Sequence, residues 1–152
     1  MNVISKIKFK VEGRPPRKSG AQSCWSIKSK EWEYIYKLRD CAFEAKKPYG
    51  IDDYFKTNAK ISIIINTPYL TKKDEHEHIG DLDTFVAGIF EAIQPAPQNE
   101  TLVIDEKLKN HPDFGSEIPL LIEDDSYITE VNAKKIKNDD TFYEIEIELV
   151  TP

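Results

Sequence analysis

The sequence predicts an α+β fold with about four β-strands and two main α-helices. In some segments apolar and polar residues alternate, as in strands, and in others apolar residues recur every three or four positions, as in helices. At 152 residues the chain is long enough for one domain around a single core. We therefore expect residues 1–152 to form one domain.

Four segments carry strand patterns. Residues 59–67 are apolar on both faces, which is typical of a central strand. Residues 126–137 and 141–150 flank an Asn138–Asp140 turn, which we interpret as a hairpin. The first strand, at 3–11, has a lysine row whose spacing matches a glutamate row in the last strand, and this favours pairing of the two strands. The rows are Lys6, Lys8 and Lys10, and Glu144, Glu146 and Glu148.

Two segments carry helix patterns. Ser29 is a suitable N-cap for a helix that runs to about Lys46. Its predicted buried stripe comprises Tyr34, Ile35, Leu38, Cys41, Ala42 and Ala45. A second helix is expected from near Thr84, with a buried stripe of Phe85, Val86, Ile89, Phe90 and Ile93.

The net charge of −6 is distributed unevenly along the chain. Residues 1–60 have a balance of +7 and residues 61–152 a balance of −13, which suits a basic surface for DNA beside an acidic metal site. A solvated face is the alternative interpretation. There is no long apolar run and no leader pattern, so we expect a cytoplasmic protein with no membrane partner. Cys24 and Cys41 are expected to be reduced thiols.

Asp81 and Asp83 precede the second predicted helix. If the chain is extended through them and becomes helical near Thr84, both carboxylates point the same way. Two such carboxylates, with no basic residue between them, favour Mg²⁺ or Mn²⁺. A third acidic element, Asp124-Asp125, precedes the third strand. Helix capping and a turn are the structural alternatives for these residues.

Asp-Leu-Asp, an amphipathic helix and then Asp-Asp before a strand resemble the RusA family of Holliday-junction endonucleases. The resemblance covers roughly residues 61–149, except for a stretch that the family pattern does not usually have. It therefore implies an insertion at about residues 94–121. It implies a small mixed sheet with two helices packed on it, and a homodimer that cuts four-way DNA junctions with Mg²⁺. It also implies that Asp81, Asp83 and Asp125 hold the metal as catalytic residues, with Asp124 as a lesser partner.

The chain departs from the family pattern at two positions. Thr84 replaces an asparagine, and Ala87 replaces a lysine that would offset charge on the phosphate. Lys135 falls where the family often has a lysine and could supply that charge. His76 and His78 lack the further ligands of a zinc site. Family members typically carry basic or polar residues here, so the resemblance implies that these histidines lie near the phosphate.

The loop after the first strand is rich in proline and basic residues, and RusA-like proteins have a proline-containing loop here that faces DNA. We therefore expect Arg14, Arg17 and Lys18 to contact the phosphate backbone. Trp25 could stack on an unpaired base, or it could pack in the core.

Three functions are compatible with the sequence. The first is a Mg²⁺-dependent junction endonuclease of recombination and repair. The second is a RusA-like protein that binds branched DNA without cutting it. The third is a divalent-metal-binding module unrelated to nucleic acids. Affinity for a four-way junction and its cleavage separate the three.

Overall fold

The computed structural model describes residues 4–50, 53–72 and 78–150. The expected fold class is confirmed, because a four-stranded mixed sheet carries two main helices. In chain order the elements are β1 (Lys6–Glu12), α1 (Trp32–Lys46), β2 (Ala59–Thr67), α2 (Leu82–Ile93), α3 (Glu106–Lys109), β3 (Ile128–Lys137) and β4 (Phe142–Leu149). No helix in the described ranges is both long and apolar enough to cross a membrane.

The strand order is β1-β4-β2-β3. β4 pairs antiparallel with both β1 and β2, and β3 pairs parallel with β2. The predicted hairpin is therefore wrong, because β2 lies between β3 and β4. The turn residues predicted that the chain reverses after β3. Burial of apolar side chains, however, favours pairing of β4 with β2. The core-facing residues Tyr143, Ile145 and Ile147 lie opposite Ile65, Ile63 and Ile61 of β2.

The predicted pairing of the first and last strands is confirmed. Lys6 Nζ lies 3.2 Å from a Glu146 oxygen and Lys8 Nζ lies 3.6 Å from a Glu144 oxygen. The Glu146 hydrogen bond and charge raise the pKa of Lys6 above its usual value. These lysines thus neutralise glutamates of the last strand. The cations that remain for the predicted DNA contacts are those of the loop after β1.

Helix α1 begins at Trp32, two residues later than an N-cap at Ser29 predicts. The Ser29 hydroxyl accepts the Glu31 N–H at 3.3 Å, and its single hydrogen is shared between the carbonyls of Cys24 and Ser26, at the end of a short 3₁₀ turn. Ile35, Leu38 and Ala42 of the predicted stripe are buried, whereas Tyr34, Cys41 and Ala45 are half-buried. The core also takes in Phe43 and two cations that periodicity alone would place in solvent, Arg39 and Lys46.

Arg39 joins α1 to the 94–121 insertion. Its guanidinium is fully buried and donates hydrogen bonds of 2.6–3.3 Å to five backbone carbonyls, those of Ala92, Gln94, Phe114, Gly115 and Ile118. Burial lowers the pKa of Arg39 to about 9. Lys46 Nζ donates in the same way to the Leu120 carbonyl, at 2.6 Å. The insertion is therefore part of the core and not a surface loop.

Candidate functional site

Helix α2 begins at Leu82, so Asp83 lies in its first turn and not on an extended segment as expected. Asp81 is the extended N-cap residue, but its side chain accepts no capping hydrogen bond and is 61% exposed. The Asp81 side chain therefore does not cap α2 as the structural alternative proposed. Its carboxylate and the first N–H groups of α2 remain directed at the same surface.

Lys135 of β3 reaches this end of α2, and its role as a substitute cation stays a prediction. Its ammonium donates to the Gly80 carbonyl at 3.0 Å and lies 3.1 Å from His78 Nε2. His78 Nε2 is in turn 3.9 Å from an Asp81 carboxylate oxygen. Partial burial lowers the pKa of Lys135, and the charge of Asp81 opposes that shift. His76 lies outside the described residues.

The loop after β1 lies across the start of α2. The Lys18 backbone N–H donates to the Thr84 carbonyl at 3.0 Å, and the Arg17 guanidinium donates to the Ile79 carbonyl at 3.0 Å. A cavity of about 470 Å³ opens between the loop and the helix. Its lining includes Arg17, Glu31, Lys72, His78, Asp81 and Thr84.

Gly88 allows the loop to approach this closely. A Cβ on Gly88 would lie 2.0 Å from the Pro16 carbonyl oxygen, a distance that no side chain tolerates. An isolated glycine within a helical pattern is the sequence signal for such a close approach. The glycine at position 88 is visible in the sequence of α2, but the sequence does not show that the loop after β1 is the segment that approaches it.

Two of the predicted DNA contacts lie inside the fold. Arg14 is only 13% exposed at its side chain, forms a two-pronged ion pair with Glu31 at 2.7 and 2.9 Å, and stacks on Tyr34. Its contact with DNA stays a prediction that this geometry does not favour. Trp25 is 0% exposed, and its Nε1 donates to the Glu91 carbonyl. The stacking expectation is corrected here, because the ring has no face open to a base.

Asp125 lies at the other end of α2. Its backbone N–H donates to the side-chain oxygen of Gln94, the C-cap residue of α2. Burial raises the pKa of Asp125, and the charges of Asp124 and Glu91 add to that effect. The Asp124 carboxylate accepts the Ser126 N–H at 2.8 Å, which lowers the pKa of Asp124. Asp124 thus stabilises a turn, which is the structural alternative given above for this residue.

The three aspartates do not fit one metal ion within a single chain. Helix α2 has 12 residues and is therefore about 18 Å long. Asp81 and Asp83 lie at its start, whereas Asp125 is bonded to its C-cap residue and lines a different cavity. In the ranges that the structure describes, no three or more His, Cys, Asp or Glu side chains are grouped as a metal site. Binding of Mg²⁺ or Mn²⁺ stays a prediction.

Searches for relatives do not add to this geometry. The chain matches no protein-family model and no curated protein. Assignment to the RusA family therefore stays a prediction that rests on the order of the acidic motifs along the chain.

Proposed function

We propose that this protein binds branched DNA, in the manner of RusA-like proteins, through the surface at the start of α2. The observation that carries the proposal is the cavity between the loop after β1 and α2, which we call the phosphate cleft. Arg17 and Lys72 line it, and Lys135 lies directly behind His78. The proposed ligand is the four-way junction, and the proposed setting is a homodimer in the cytoplasm.

The charges of the phosphate cleft support an anionic ligand. Of its two acidic residues, Glu31 is already neutralised by Arg14, so its negative charge is not presented to a ligand. Arg17 is 43% exposed at its side chain, which leaves donors open to a phosphate oxygen. The start of α2 adds backbone N–H groups and the positive end of the helix dipole. Asp81 is the one remaining negative charge of this lining.

A second candidate function is Mg²⁺-dependent cleavage of the junction. It is favoured by Lys135, which lies beside Asp81. The Lys135 ammonium can offset charge on the phosphate, as the family lysine that Ala87 replaces would do. It requires Asp125 beside Asp81 and Asp83, an arrangement that one chain does not provide. Binding without cleavage is thus the function that the geometry of a single chain supports best.

One experiment separates these functions. Purified protein is incubated with a labelled four-way junction or a linear duplex of the same composition, in Mg²⁺, in Mn²⁺ and with chelator. A retarded junction complex that weakens with salt, without cuts, supports the binding proposal. Paired cuts that need metal support the nuclease. Absence of both, or equal affinity for the linear duplex, overturns the proposed specificity for branched DNA.

Asp83→Asn tests the acidic residues directly. If Asp83 serves cleavage, the variant binds the junction as tightly as the parent or more tightly, because a negative charge is removed, while any cutting is lost. Asp113→Asn, an exposed change in the insertion, is the matched control and should alter neither activity. If Asp83→Asn unfolds the protein instead, Asp83 has a structural role at the helix terminus.

A further inference from the structure

We infer that β3 pairs antiparallel with β3 of a second copy of this chain, in a register centred on Asn132. The inference deepens the proposed function, since it names the surface of the proposed homodimer. The pairing of the two β3 strands, however, is argued from the sheet alone and does not depend on DNA binding.

β3 is an edge strand, and its outer side has no partner among the described residues. It has ten residues and pairs with β2 alone. It is exposed over most of its length, including Val131 at 44% and Ile136 at 38%. Both edge strands contact a helix, β1 with α1 and β3 with α2. A long open edge with exposed apolar residues offers a row of free backbone donors and acceptors to another strand.

The side chains of β3 are complementary to themselves. With Asn132 on a two-fold axis, Glu130 lies opposite the partner's Lys134 and Ile128 lies opposite the partner's Ile136. Val131 then lies opposite the partner's Ala133. Moving the axis by one residue, to Ala133, sets Val131 against the partner's Lys135 and Ile136 against the partner's Glu130 instead. Opposite charges and matched apolar pairs across strands stabilise pairing, and each pair occurs twice in a symmetric dimer.

Lysines on an edge strand commonly prevent pairing with other chains, and β3 carries three of them: Lys134, Lys135 and Lys137. In the Asn132 register, however, Lys134 faces a glutamate and Lys135 turns inward to Gly80. Self-complementarity favours a second copy over an unrelated peptide strand, because an unrelated strand has no reason to match this charge order.

The pairing also addresses the separation of the three aspartates. Antiparallel pairing sets the start of the partner's β3 beside the end of β3. Asp125 comes shortly before the start of this strand, and Asp81 lies near its end, beside Lys135. The partner's Asp125 is thereby brought to the side of the sheet where Asp81 and Asp83 lie. The residues that one chain keeps at opposite ends of α2 are then contributed by two chains.

Cross-linking tests the register. Asn132→Cys should form a disulfide-linked dimer on mild oxidation, because residues directly opposite in an antiparallel pair have Cβ atoms about 5 Å apart. Thr129→Cys is the matched control on the same strand and should stay monomeric on a denaturing gel, because its two copies lie about six residues apart. Cross-linking of the control but not of Asn132→Cys overturns the register.

Charge exchange tests the interface by light scattering. Glu130→Lys sets lysine against Lys134 twice and should raise the dimer dissociation constant about tenfold. The double variant Glu130→Lys, Lys134→Glu should restore dimerisation. The ion pair of Glu130 with Lys60 is exposed, so the single variant should keep its fold, as circular dichroism can verify.

A parent protein that is monomeric at high concentration overturns the inference, as does a double variant no better than the single one. Junction binding by such a monomer would leave the proposed function standing. A dimer that cross-links at residue 132 but does not bind junction DNA would support the interface and overturn the proposed function.

Discussion

Arg39→Met removes a cation that the fold buries without a carboxylate partner. Methionine has a similar length and no donor, so five carbonyl groups in and around the insertion lose their hydrogen bonds. Each buried acceptor left unpaired costs about 1–3 kcal/mol. If relaxation or water satisfies about half of them, the free energy of unfolding falls by about 3–5 kcal/mol. That is a large share of the roughly 5–15 kcal/mol of a typical domain.

Urea denaturation followed by tryptophan fluorescence measures this loss, since Arg39 lies over the buried Trp25 ring. Lys37→Met, on the exposed face of the same helix, is the matched control and should change stability by no more than about 0.5 kcal/mol. Arg39→Lys keeps the charge with fewer donors and should fall between the two. A loss below about 1 kcal/mol for Arg39→Met would refute the idea that these hydrogen bonds hold the insertion.

Three further predictions concern charge and chemistry. Arg17→Ala should weaken junction binding and reduce the slope of log affinity against log salt by about 1, whereas Lys109→Ala should leave both unchanged in a gel-shift titration. Burial and nearby Glu91 strongly raise the pKa of Cys24, so mass spectrometry after native alkylation at neutral pH should find Cys24 unmodified, and modification of both cysteines only after unfolding. The lowered pKa of Asp124 gives stability that is present above the ordinary carboxyl pKa and is lost as pH falls through the folded value. Asp124→Asn should therefore flatten the acid limb of stability against pH, and an unchanged limb would exclude this contribution.

The sheet was largely predictable, because the apolar pattern alone fixes which residues face the core. β2 has the predicted bounds, and the lysine and glutamate rows identified β1 and β4 as neighbours. The position of β3 was not predictable from its turn, since local residues determine that a chain reverses and not which strand it then joins. Local patterns also could not show that Arg39 is buried, because its partners are carbonyls more than 50 residues away.

The site was predictable in part. The family resemblance pointed to Lys135 as a substitute cation, and the structure places its ammonium beside Gly80 and His78, near the start of α2. The relation between Asp125 and the other two aspartates could not be read from motif order, because order along the chain carries no information on distance. The length of α2 decides that distance. Trp25 illustrates the same limit, since the sequence left base stacking and core packing both open, and the tertiary structure buries the ring.

The interior position of β4 constrains how the sheet forms during synthesis. Within the described part of the chain β1 pairs only with β4, so β1 cannot pair until the residues of β4 have been synthesised. A nascent chain that has emerged from the ribosome only as far as β3 holds β1 and β2 apart, with a gap between them. Such high contact order slows folding and prolongs exposure of apolar strands. Stalling translation just before β4 should therefore leave a chain that needs chaperones.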